Sequence, residues 1–171
     1  MSIWRPLHIS DIAAVSSIAR RVHPEFPEPD AVFFDRLALA PHTCFLLEIQ
    51  GVPSGYVLAH PYGRGSAPAL GTVLGALPEN PDALYIHDLA LLTLARGTGA
   101  AHQIVDTLAG LARPLGAMSL VAVNNSTPFW TRMGFAARTA PQLSARLSTY
   151  APDAVYMVRD LDSEGANVPG R

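Results

Sequence analysis

The sequence predicts an α/β fold, on three observations. Strand-like runs from Thr43 to Ile49 and from Ser54 to His60 flank Gln50-Gly51-Val52-Pro53, the mark of an antiparallel hairpin. The strand-like run Leu84 to Leu92 passes through Arg96-Gly97-Thr98-Gly99 into Ala101, Ile104, Val105, Leu108, Leu111, Ala112 and Leu115, a stripe at helical spacing. After it, short strands alternate with a helix: Met118 to Val123, the helix Thr127 to Met133 stopped by Gly134, Phe135 to Arg138, and Val155 to Val158.

The remaining elements follow in order. Ile3, Trp4 and Arg5 before Pro6 read as a first strand. Ser10 and Asp11 then start a helix carrying Ile12, Val15, Ile18 and Val22 on one face. His23-Pro24-Glu25-Phe26-Pro27-Glu28-Pro29 breaks that helix, because proline removes an amide donor and fixes φ, and a second helix restarts near Asp30 with Phe33, Phe34 and Leu37. The stretch Pro61 to Ala83 is rich in Pro and Gly and longer than most connections. It is a candidate lid or substrate loop, and Leu70, Val73, Leu74 and Leu77 could place a short helix in it.

With 171 residues, 49% of them hydrophobic, the chain can bury one core and is too short for two ordinary domains. The expectation is a single domain over residues 1–162 with a frayed tail at 163–171. Charged residues make up 15% and the net charge is −2, which gives no electrostatic reason to expect nucleic acid or a membrane as partner. All twelve basic residues are Arg, which excludes Schiff-base lysine chemistry and the P-loop lysine. The single Cys44 allows neither an intramolecular disulfide nor a multi-cysteine zinc site, and His8, His23, His42, His60, His87 and His102 show no ligand spacing, so no metal is expected. The first residues carry no cleavable-leader pattern, and a cytoplasmic setting is expected.

The small residues Gly97, Thr98, Gly99, Ala100 and Ala101 bring free amides to the start of a long helix, where the positive end of the helix dipole favours a phosphate. The spacing is Arg-x-x-Gly-x-Ala, neither the Walker pattern nor the dinucleotide fingerprint. Joined in order with the strand Leu84-Tyr85-Ile86-His87-Asp88-Leu89-Ala90-Leu91, the run Val123-Asn124-Asn125-Ser126 and Phe129-Trp130-x-x-x-Gly134-Phe135, it resembles the GNAT superfamily of acetyl-CoA-dependent N-acetyltransferases. The detailed resemblance covers residues 84 to 136.

The resemblance implies a mixed, mostly antiparallel sheet of six to seven strands flanked by about four helices and splayed between strands four and five. Acetyl-CoA would lie in the splay. The backbone of Leu89, Ala90 and Leu91 would hold its pantetheine and acetyl group, Arg96 and the amides from Gly97 to Ala101 its pyrophosphate, and Asn125, Phe129 and Trp130 would border the pantetheine.

Acetyl transfer needs a neutral amine, a polarised carbonyl and a proton for the departing thiolate. Strand alternation puts Tyr85, His87, Leu89 and Leu91 on one face and turns Asp88 to the other. The family places a catalytic Glu or His at a position matching Tyr85 or His87, and His87 is the leading base; a buried, backbone-satisfied histidine is the alternative. The tyrosine that often serves as general acid in the superfamily is replaced by Trp130, whose indole is no proton source, leaving Ser126, a water or Tyr150. For Ser126 itself, the favoured reading is a helix cap before Pro128.

The resemblance thus implies direct acetyl transfer to a primary amine of a small molecule, with a silent acyl-CoA-binding module and a protein-directed acetyltransferase as rivals. Glu25, Glu28, Asp30 and Asp35 border the acceptor groove in such a fold, as attractors of a cationic amine or as solvated surface charges. A homodimer stays open.

Overall fold

The computed structural model describes residues 1–161; the tail expected at 163–171 lies outside the described residues. Seven strands form one sheet: β1 (Ser2–Pro6), β2 (Cys44–Ile49), β3 (Val52–Tyr62), β4 (Ala83–Leu91), β5 (Ala117–Ala122), β6 (Ala136–Ala137) and β7 (Val155–Asp160). Their order is β1-β2-β3-β4-β5-β7-β6, and every pairing is antiparallel except β4 with β5. The helices are α1 (Ile12–Val22), α2 (Asp30–Leu39), α3 (Ala100–Ala112), α4 (Thr127–Arg132) and the short α5 (Ser144–Leu147).

The two sheet faces carry separate cores. Val57, Leu84, Ile86, Met118, Leu120 and Met157 pack under Ile104, Val105 and Leu108 of α3. On the other face Leu46, Tyr56, Leu58 and Ala90 meet Ile12, Val15 and Ile18 of α1 and Phe33 and Leu37 of α2. Tyr85, Ala117, Tyr156 and Val158 extend that second face under Ala67 and Leu143.

Several boundaries differ from the sequence expectation. The hairpin turn is only Gln50-Gly51, with φ of 51° and 77°, the left-handed pair that suits strand twist; Val52 and Pro53 already belong to β3. Residues 63–82 contain no helix. Gly71 and Gly75 sit at φ of 76° and 72°, outside helical backbone, and their amides are taken by side chains elsewhere. The turn and helix from Pro141 to Leu147 carry a weak apolar pattern and were not expected.

Two features of β4 make the site. It pairs with β5 only through Leu84–Ile86 against Met118–Leu120, whereas β5 stays paired with β7 along its whole length. Beyond Ile86 the two strands part. At the same place the register with β3 shifts: Leu58 faces Asp88 and Ala59 faces Ile86, leaving His87 as an extra, bulged residue. A bulge bends its strand and sharpens the twist, which accounts for the departure of β4 from β5.

The bulge also overturns the expected alternation. Ile86 and Leu89 pack on the α3 side, while Tyr85 and Ala90 pack on the side of α1 and α2. Tyr85 and His87 therefore do not share a face with Leu89 and Leu91. Asp88 comes to the same side as His87, where it bonds Tyr56.

Candidate active site

The parted strands enclose a cavity of about 670 Å³. Ile86, Leu89 and Leu91 line one wall, and Leu120, Val121 and Val123 the other. Phe129 and Trp130 close its base; their rings meet edge to face at 4.9 Å, and Trp130 packs on Phe135 at 5.4 Å. The edge of β4 facing the gap, past Ile86, has no strand partner and presents backbone donors and acceptors to anything lying there.

At one mouth stands the start of α3. Gly97 and Gly99 have φ of 72° and 85°, a backbone that glycine adopts without strain, and Gly99 caps the helix. First-turn amides have no carbonyl of their own helix to bond, so this end is electropositive; Ala100 N–H is met by the Thr98 hydroxyl at 3.4 Å. Arg96, Gly97 and Ala101 line the cavity, whereas Thr98, Gly99 and Ala100 are not among its walls. Ala100 is buried, and its carbonyl accepts the Trp4 indole at 2.9 Å. The Arg96 guanidinium folds back on the Leu91 carbonyl at 3.3 Å.

The turn after β5 is a left-handed pair, Asn124 and Asn125 at φ of 54° and 57°, closed by Ser126 N–H donating to the Val123 carbonyl. Asn124 and Ser126 line the cavity, but Asn125 is exposed and does not. Ser126 stands at the N-cap of α4, as the cap reading expects, but its side chain makes no capping bond there, and the residue lines the cavity.

The opposite mouth is built by the loop after α1, β4 and residues 63–82. Glu28 and His87 are paired at 2.8 Å from Oε1 to Nε2, with side chains only 7% and 1% exposed. The other Glu28 oxygen accepts the Gly71 amide at 3.0 Å. His87 Nδ1 is buried and has no hydrogen-bond partner among the described residues. Asp88 accepts the Tyr56 hydroxyl, and its other oxygen lies 2.8 Å from His23 Nε2. Burial works against the His23 cation, but Asp88 outweighs it and the His23 pKa is raised; burial likewise opposes the Asp88 anion, and His23 and Tyr56 together hold its pKa below the usual carboxylate value.

Residues 63–82 form a strap over this mouth, pinned on two sides. Toward α2, Asp35 accepts the amides of Leu74 and Gly75, and the buried Arg36 donates to the Thr72 carbonyl at 2.9 Å. Toward the C-terminal segment, Leu70 N–H bonds Thr149, Arg146 donates to Ala67, and Tyr150 donates to Pro68. Leu70 and Tyr150 reach the cavity wall. Glu28 and Asp35 are thus buried anchors of the strap, not solvated charges.

The sequence-predicted residues divide accordingly. His87, Leu89, Leu91, Arg96, Gly97, Ala101, Ser126, Phe129 and Trp130 converge on the cavity. Tyr85 is withdrawn into the core, its hydroxyl 3.3 Å from that of Tyr150. Ala90 faces the α1 and α2 core. Sequence reasoning missed His23 and the anchoring by Glu28; the only signal was their place in the proline-rich break.

The acetyltransferase (GNAT) family model matches residues 11–135. Among solved structures, the N-acetylglutamate synthase from Neisseria gonorrhoeae, complexed with coenzyme A and N-acetyl-glutamate, has a TM-score of 0.71 at 14% identity over 94% of this chain; the chain spans 35% of that protein. Ard1 from Thermoplasma volcanium gives 0.69 at 18% identity over 94% of this chain and 97% of that one. The ribosomal-protein-S18-alanine N-acetyltransferase from Escherichia coli gives 0.66 at 16% identity over 98% and 99%. These are likenesses of fold. No match was found among curated proteins. The family pattern runs through most of the chain, and the strands part where that pattern requires, so the chain belongs to the GNAT family of acetyltransferases and is an acyltransferase.

Proposed function

We propose that the protein transfers an acetyl group from acetyl-CoA to a primary amine of a small molecule, by direct attack in a ternary complex. The observation that carries the acceptor class is the strap: residues 63–82, pinned to α2 on one side and to the C-terminal segment on the other, roof the mouth where the acceptor would enter. A roofed pocket suits a small amine better than an extended peptide.

The residues present fit the donor. Bound acetyl-CoA supplies an activated thioester carbonyl to the amine. The unpaired edge of β4 at Leu89 and Leu91 would align the pantetheine as an added strand, and the amides opening α3 would take the pyrophosphate. Phe129 and Trp130 give the pantetheine an apolar floor.

His87 takes the amine proton, as the imidazole that lines the cavity at the mouth beneath the strap. Trp130 supplies no proton, and Ser126 or a water returns one to the leaving thiolate. A thiol with a pKa near 8.5 leaves without strong acid help.

The test is calorimetric titration with acetyl-CoA, followed by thiol release over a panel of aralkylamines, polyamines, amino acids and short peptides. Binding with release by a small amine is expected. Release by peptides alone would make the enzyme protein-directed, and binding without release by any acceptor would make it a silent acyl-CoA module.

A further inference from the structure

We propose that Glu28 is a positioning residue that fixes the tautomer of His87, and that it does so through the same carboxylate that holds the strap closed. This rests on the reading of His87 as the base.

Glu28 sits in the break between α1 and α2, and its two oxygens serve two different elements. Oε1 meets His87 Nε2 at 2.8 Å, and Oε2 accepts the Gly71 amide at 3.0 Å. An ionised carboxylate only accepts, so the imidazole proton must be on Nε2. The lone pair is then on Nδ1, which is buried, has no partner among the described residues, and belongs to a side chain lining the cavity. That is the nitrogen left to receive a proton from the amine. The logic is that of a carboxylate that orients a histidine without itself taking part in transfer.

The surrounding charges leave this pair intact. Asp88, next along β4, is committed to Tyr56 and His23, and His60 on β3 spends its Nδ1 on the Pro61 carbonyl. Glu28 is thus the carboxylate paired with His87 among the described residues. Because Gly71 shares that carboxylate, seating the strap over an acceptor and orienting the base are one event.

Glu28→Gln separates the two functions. The Gln carbonyl can still accept the Gly71 amide, but its NH₂ now donates to Nε2 and drives the proton to Nδ1. Nitrogen NMR of ¹⁵N-histidine-labelled protein, with no ligand added, should show His87 protonated on Nε2 in the wild type and on Nδ1 in the variant. With the amine that the wild type turns over best, Glu28→Gln should lower kcat by roughly 10²- to 10⁴-fold at neutral pH, with calorimetric acetyl-CoA affinity unchanged. A wild-type His87 protonated on Nδ1 would overturn the proposal. So would Glu28→Gln activity within about threefold of wild type while His87→Gln is inactive, which leaves the base assignment standing. Full activity of His87→Gln would overturn that assignment and the proposal with it.

Discussion

The Tyr150 hydroxyl donates to the Pro68 carbonyl at 2.8 Å, so the one tyrosine on the cavity wall spends its proton on the strap. Burial pushes its pKa up to about 12, far above that of a leaving thiol. The geometry makes Tyr150 an anchor of the strap, and the expectation is that the proton for the thiolate comes from elsewhere. Tyr150→Phe should lose about 1 kcal/mol of stability in urea unfolding and keep kcat within about tenfold. A hundredfold fall in kcat with unchanged stability would return it to the proton path.

Ala101 lies in the first turn of α3 and on the cavity wall, with ordinary helical backbone, so Ala101→Glu tests the phosphate site without the strain that a side chain at Gly99 would bring. A carboxylate near a helix N-terminus stabilises the helix by a few tenths of a kcal/mol, yet repels a pyrophosphate. The melting temperature should hold or rise while the Kd for acetyl-CoA rises at least about tenfold. Unchanged affinity would mean that the pyrophosphate lies elsewhere.

His60 is fully buried, donates from Nδ1 to the Pro61 carbonyl and leaves Nε2 without a partner among the described residues. Burial pushes its pKa down to about 3. Between the unfolded value near 6.5 and about 3, the unfolded chain binds the extra proton, so stability falls as the pH falls through that window. From pH 7 to 5 this group alone should remove roughly 2 kcal/mol. His60→Gln should show a correspondingly flatter dependence of the urea midpoint on pH; an equal slope would place the acid sensitivity in other groups.

Cys44 is buried in β2, and burial pushes its thiol up to about 12. The native protein should leave a chromogenic disulfide reagent unreacted at pH 8, and unfolded protein should release one equivalent per chain. Prompt labelling of the native state would mean that β2 opens locally. The expected silence makes such reagents a clean readout of thiol released from acetyl-CoA.

The sequence legibly carried the hairpin and the strand, glycine turn and helix of the donor site, each of which depends on local periodicity or on small residues at fixed offsets. The parting of the central strands was implied only by the family resemblance. The rest depends on pairing across the sheet. Whether Leu89 and Leu91 or Asp88 share a face with His87 is decided by one register shift against Leu58 and Ala59, and a strand read alone gives only its ideal alternation. Glu28 and Asp35 looked like surface charges because their partners lie about forty residues away in the strap, at Gly71, Leu74 and Gly75. The helix expected around Leu70 to Leu77 failed for a local reason, since its glycines adopt left-handed backbone.

The surplus residue in β4 has a further consequence. Side chains along a strand have only two phases, and His87 inverts the phase between Ile86 and Asp88. Leu89 and Leu91 thereby stay with the apolar wall on the α3 side, while His87 and Asp88 turn together toward His23 and Glu28. On the proposed reading, the catalytic side chains and the cofactor seat are separately editable parts of one strand. Substitutions around His23 and Leu70 should retune which amine enters without touching the surface on which the thioester would rest.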